Sequence, residues 1–164
     1  MRNLSWIIIS LLAALSASAA RAQEIDWQKI DDALGRKGAV SGDVHRYGFP
    51  RSDLVVALDG VAIKPALALG GWIAFKPMHG QAMVMGDLVL LETEISPVML
   101  KLMEGGLEIT AVHNHLLRAN PATFYMHVGG HGDPVKLATA IRTGLAASKT
   151  PLTPPVAVPL APMI

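Results

Sequence analysis

Residues 107–128 read LEITAVHNHLLRANPATFYMHV, and the fold turns on how this stretch pairs with itself. Two segments rich in β-branched, aromatic and apolar residues, 107–115 and 123–128, flank a connection, 116–122, in which Asn120-Pro121 favours a turn. The pattern predicts an antiparallel hairpin. Successive side chains of a strand point to opposite faces, so His113 and His115 share a face and Asn114 turns away. A hairpin centred near Ala119 sets His113 opposite Tyr125, His115 opposite Thr123 and His127 opposite Ala111, all on one face. A slip of one residue would carry His127 to the other side.

Working outward, residues 39–47, 53–58, 71–75 and 82–91 are short strand-like segments, each bounded by turn residues such as Asp59-Gly60 and Lys64-Pro65. Before them, Ile25, Ile30 and Leu34 recur at near-helical spacing behind Asp26, which predicts a helix over 26–34. Ser96-Pro97 and Gly105-Gly106 supply start and stop signals for a helix over 97–104. Pro134 opens a last helix to about residue 147, with Val135, Ala138, Ile141 and Leu145 on one stripe and Asp133 as its cap. Strands with helices between and after them indicate a single α+β domain with a mostly antiparallel sheet and two or three helices.

Four of the six histidines fall within 113–131: His113, His115, His127 and His131, the last in the segment Gly129-Gly130-His131-Gly132-Asp133 read as a loop. Neutral imidazoles suit a divalent transition metal, zinc first, and three protein ligands leave a position open for water or substrate. Glu92 and Glu94, expected at the end of the preceding strand, are the candidate catalytic carboxylates that move a proton or complete the coordination. Ordinary hydrogen bonding in a half-buried sheet is the competing reading. Isolated His45 and His79 read as turn or surface residues. Met83, Met85, Met99, Met103 and Met126 raise soft copper(I) coordination, with core filling as the default. Arg51 and Asp53 read as a turn ion pair.

The ends of the chain bear on location. Arg2, the apolar run 6–15 and Ala20-Arg21-Ala22 form the three parts of a signal peptide over 1–22, cleaved before Gln23. The run is shorter than the roughly 20 residues a membrane span needs. A periplasmic or secreted protein with no stable membrane anchor after cleavage is expected. The chain has no cysteine, hence no lipid attachment through one and no disulfide. Loss of Arg2 and Arg21 leaves twelve basic against thirteen acidic residues, a formal charge of −1. Without a basic surface, nucleic acid is not an expected partner, which also speaks against reading His113-Asn114-His115 as an HNH nuclease motif. Residues 148–164, with five of the eleven prolines, read as a disordered tail. The folded domain is then 23–147.

Several stretches together resemble the LppY/LpqO-like family of exported bacterial proteins: Gly42-Asp43-Val44, Phe49-Pro50-Arg51-Ser52-Asp53-Leu54, Met83 to Leu91 with Glu92-Thr93-Glu94, Thr110-Ala111-Val112-His113-Asn114-His115-Leu116, Tyr125-Met126-His127-Val128 and Gly130-His131-Gly132-Asp133. The resemblance implies export and an unidentified small-molecule or cell-wall ligand, since some members carry a peptidoglycan-binding label. It implies no activity. The order H-x-H, short loop and third histidine is more distantly similar to acetolactate decarboxylase, which holds zinc through three histidines on a sheet. By that likeness His113, His115 and His127 would be the ligands.

Overall fold

The computed structural model describes residues 24–153; the expected signal peptide and residues 154–164 lie outside them. Helix α1 (Trp27–Leu34) starts where Asp26 accepts a hydrogen bond from the Lys29 amide and stops at Gly35, whose φ of 69° closes the helix with a left-handed residue. The segment read as one strand over 39–47 is instead a hairpin, β1 (Ala39–Ser41) and β2 (Val44–Pro50), because Gly42 takes φ 60° and reverses the chain. A second hairpin, β3 (Val56–Leu58) and β4 (Val61–Ile63), precedes the single turn α2 (Pro65–Ala68). Then come β5 (Gly70–Met78), β6 (Gln81–Leu91), α3 (Glu92–Glu104), β7 (Glu108–His113), β8 (Ala119–Asn120), β9 (Thr123–Gly132) and α4 (Pro134–Leu145).

Six strands form one sheet in the order β1-β2-β5-β6-β9-β7, every neighbouring pair antiparallel, and β4-β3-β8 form a small second sheet. Alternation divides the large sheet into two unlike faces. Tyr47, Phe49, Ile73, Phe75, Val84, Leu88, Leu90, Met126 and Val128 are buried against Ile30 and Leu34 of α1, Val98 and Leu102 of α3, and Leu137, Ile141 and Leu145 of α4. The two long helices approach closely at Gly144, where an added Cβ would stand 2.6 Å from Leu102. On the opposite face the small sheet covers one end, around Val56, Leu69, Val89 and Tyr125. The rest of that face is open. The chain is thus a single α+β domain, and among the described residues no helix is long and apolar enough to cross a membrane.

Three local expectations are corrected. Helix α3 begins at Glu92 rather than Pro97, because Glu94 accepts the Leu91 amide at 2.9 Å and starts the helix a turn and a half before the proline. Gly129 to Gly132 are not a loop but the end of β9, paired with 82–85 of β6. Residues 148–152, read as the start of a disordered tail, are held against the body. Arg36 donates to the Pro151 carbonyl and Arg142 to that of Leu152, and Leu152 packs on the core.

Candidate metal centre

The sheet register builds the site. Strand β7 pairs with β9 so that His113 lies opposite Tyr125 and Ala111 opposite His127, the pairing expected of a hairpin centred near Ala119. His115 arrives differently. Strand β7 ends at His113, and the Asn114 side chain accepts the Leu116 amide at 2.6 Å, a tight side-chain turn that swings His115 back over the sheet. Its ring stacks on Tyr125 with centroids 3.8 Å apart. Tyr125 is itself fixed: it sits in the small core and donates its hydroxyl to the Ala68 carbonyl at 2.6 Å. Burial pushes the Tyr125 phenol above its ordinary pKa, and the negative charge of Asp87 acts in the same direction.

The three imidazoles converge. His113 Nε2 and His127 Nε2 are 2.7 Å apart, and one nitrogen on each of His113, His115 and His127 lies within 4.8 Å of the others. A tetrahedral zinc with bonds of about 2.0–2.1 Å separates its nitrogens by roughly 3.3 Å. The 2.7 Å pair and the 4.8 Å limit lie on either side of that value, so the three histidines could hold an ion. His113 and His115 are exposed and His127 half-buried, which leaves the side away from the sheet accessible.

His131 is on the same face but does not join this cluster. It lies opposite Met83, two side-chain intervals beyond His127, about 13 Å along the strand. Met83 and Met85 on this open face and Met103 on α3 are 41%, 60% and 58% exposed, so core filling describes Met126 and Met99 but not these three.

Neither expected glutamate supplies the carboxylate. Glu92 is exposed in the first turn of α3. Glu94 is buried and fully engaged: it accepts from Arg51 Nη1 and Nη2 at 2.7 and 3.2 Å, from the Leu91 amide and from the Lys149 amide. Although its burial opposes ionisation, these hydrogen bonds and the Arg51 charge hold the carboxyl below the usual carboxylate range. Arg51 and Asp53 do form the expected turn ion pair, at 2.8 Å, and the buried Arg51 side chain extends it to Glu94.

The sheet register sets a different carboxylate, Asp87, next to one of the three histidines. In β6 it lies directly opposite His127, on the same face, where facing Cβ atoms stand about 4.5–5.5 Å apart. Its Oδ1 is buried and has no hydrogen-bond partner among the described residues. A buried orphan carboxylate oxygen on the strand next to His127 is costly unless something is bound there. The alternating pattern of residues 82–91 carries the only sequence signal for Asp87, a charged residue in an otherwise apolar run.

No curated protein and no solved structure matches the chain. A family model matches residues 28–147, which take in all of the described elements but the first residue of α1, and the whole histidine cluster. The chain belongs to the family described as Domain of Unknown Function (DUF1259).

Proposed function

We propose that this is an exported protein of the LppY/LpqO-like kind whose three histidines hold a divalent transition metal, zinc in first place, as the centre of a metal-dependent enzyme. The observation that carries the reading is the convergence of His113, His115 and His127 on an open sheet face beside the unsatisfied Asp87. A divalent ion in such a set acidifies water or polarises a substrate oxygen. Asp87 is placed either to fix the His127 ring through its second nitrogen or to take and return a proton. The likeness to the three-histidine pattern of acetolactate decarboxylase supports the ligand set and is not extended to that enzyme's reaction.

A second reading is a non-catalytic envelope module that binds a cell-wall ligand or sequesters metal. It is favoured by the exposure of His113 and His115 at the edge of the sheet.

Elemental analysis tests the shared core of both readings. The purified protein is expected to carry near-stoichiometric metal, lost in His115→Ala and kept in His79→Ala, with occupancy falling as the medium is acidified because the ligands must be deprotonated. A wild-type protein that holds no metal and whose melting temperature ignores added zinc, copper and nickel would overturn the site. Mass spectrometry of the protein from periplasm or medium tests export: a mature chain beginning at Gln23 is expected, and an intact Met1 would refute it.

A further inference from the structure

The register that sets Asp87 opposite His127 continues across the sheet. Trp72 of β5 faces Asp87, and Gly48 of β2 faces Trp72, so Gly48, Trp72, Asp87 and His127 form one row on the open face. With strands about 4.8 Å apart, Trp72 stands about 10 Å from His127. At the far end of this row is a cavity of about 350 Å³ walled by Arg46, Pro50 and Trp72 over Gly48 and Gly70. An added Cβ at Gly48 would meet nothing within 4 Å, so the floor is open space rather than packed protein.

The chemistry of the walls is specific. The Arg46 guanidinium lies over the Trp72 ring, 4.5 Å from its centroid, which holds a flexible cation in one place. Arg46 is exposed and makes no ion pair among the described residues, whereas Lys76, the other cation on this face of β2 and β5, is bound to Asp43. A stacked, unpaired guanidinium keeps its edge donors free for a planar carboxylate, the group its fork matches best. Asp87 repels anions from the middle of the row, so on its β2–β5 side an acidic group has its favourable place at the Arg46 end.

We propose that the Arg46–Trp72 pocket is the subsite for the carboxylate end of the ligand, an organic acid whose ring or apolar body lies against Trp72 and Pro50. Resting on the metal-centre reading, it makes the substrate an extended acid, anchored at Arg46, whose body runs along the row past Trp72 and whose reacting group reaches the histidines. The pocket itself contains none of the metal ligands.

The test uses the full chain stripped of metal by a chelator, with tryptophan emission as the readout. Benzoate and glucuronate probe a planar and a sugar body, against benzyl alcohol and glucose as neutral controls. At least one acid is expected to shift the emission with a dissociation constant on the order of a millimolar, as for a small fragment, while the neutral analogues do not. Arg46→Ala should weaken binding at least tenfold, and Gly48→Val, which fills the cavity, should abolish it while leaving the melting temperature in place. His115→Ala should bind the acid as well as the wild type does. That last result separates this proposal from the metal reading, since the pocket can be right where the metal is wrong. Acids that bind no better than the neutral compounds, or equally well to Arg46→Ala, would overturn the subsite; loss of binding in His115→Ala would place the anion at the histidines instead.

Discussion

Two polar clusters occupy this fold, and they differ in how completely they satisfy themselves. In the buried one, Arg51 uses all five guanidinium N–H donors: Nε and Nη2 on Asp53, Nη1 and Nη2 on Glu94, and Nη1 again on the Val89 carbonyl. Its side chain is wholly buried and nothing is left over for a ligand. In the open cluster, His113 and His127 share a single Nε2–Nε2 hydrogen bond at 2.7 Å, and the Asp87 carboxylate has an oxygen with no partner among the described residues. A closed cluster stabilises one structure; an incomplete one has donors and acceptors left to offer a ligand, which is the basis of the proposal above. The buried knot joins the turn after β2, the start of α3 and the segment after α4, three places where chain termini of elements would otherwise fray.

The largest effect should come from breaking the closed cluster. Glu94→Ala leaves Arg51 with one carboxylate, strips the Leu91 and Lys149 amides of their acceptor, and is expected to cost about 3 kcal/mol or more in urea unfolding. Because the folded-state pKa of Glu94 is depressed, its stabilisation is complete above its unfolded value, about 4.3, and is lost as pH falls through the lower folded value. The wild type should therefore lose stability below about pH 4, and the variant should lose less over the same range. Equal acid sensitivity in both would mean that Glu94 is not the carboxylate responsible.

Next in size is the gain from filling the open cluster. Zinc at a hundred times its dissociation constant should stabilise the wild type by about 2.7 kcal/mol, reversibly by chelator. His115→Ala should abolish that gain while costing little in the metal-free protein, because His115 is exposed. Calorimetry with and without zinc gives both numbers. A large loss of stability in metal-free His115→Ala would make the open cluster a structural one like the other.

Asp87→Asn sharpens the contrast further. If Asp87 serves the ligand rather than the fold, neutralising it should leave the metal-free protein as stable as before or more so, and should weaken zinc binding by about 10- to 100-fold. Titration against a competing chelator reads the affinity, and urea unfolding reads the stability. Loss of stability with unchanged zinc affinity would assign Asp87 to the fold.

How far the sequence discloses these two clusters depends on the range of the contacts. The pairing of His113 with Tyr125 and of Ala111 with His127 is legible because one short turn joins the two strands and alternation sets the face. Asp87 is not legible, since its place beside His127 comes from a β6–β9 pairing about forty residues apart in the chain that no local pattern announces. Glu92 and Glu94 are misread for a related reason. Placing them at the end of a strand ignores that Glu94 itself starts the next helix, and that its partner Arg51 is far away in sequence. Ser96-Pro97 is a sound start signal in isolation, and the hydrogen bond from the Leu91 amide to Glu94 overrides it. The glycines of 129–132 look like a loop until they are paired with β6: Gly129 falls on the open face opposite Met85, while Gly130 lies on the core face opposite Val84, where Leu107 and Leu137 fill the space beside it.

The smallest effect concerns the residue that connects the covered end of the open face with the histidine cluster. Tyr125 packs in the small core with Val56, Leu69 and Val89, presents its ring to His115, and donates its hydroxyl to the Ala68 carbonyl. Tyr125→Phe keeps the ring and the stack and removes one hydrogen bond, so stability should fall by only about 1 kcal/mol. The change in zinc affinity tells more than the change in stability. The Ala68 bond fixes the ring against which His115 rests, so its loss should loosen His115 and lower the affinity by a few-fold, well short of the effect of Asp87→Asn. Tyr125→Leu, which loses the stack as well, should lower it further. If both variants bind zinc as the wild type does, the small sheet is a cover for that end of the face and has no part in positioning the third imidazole.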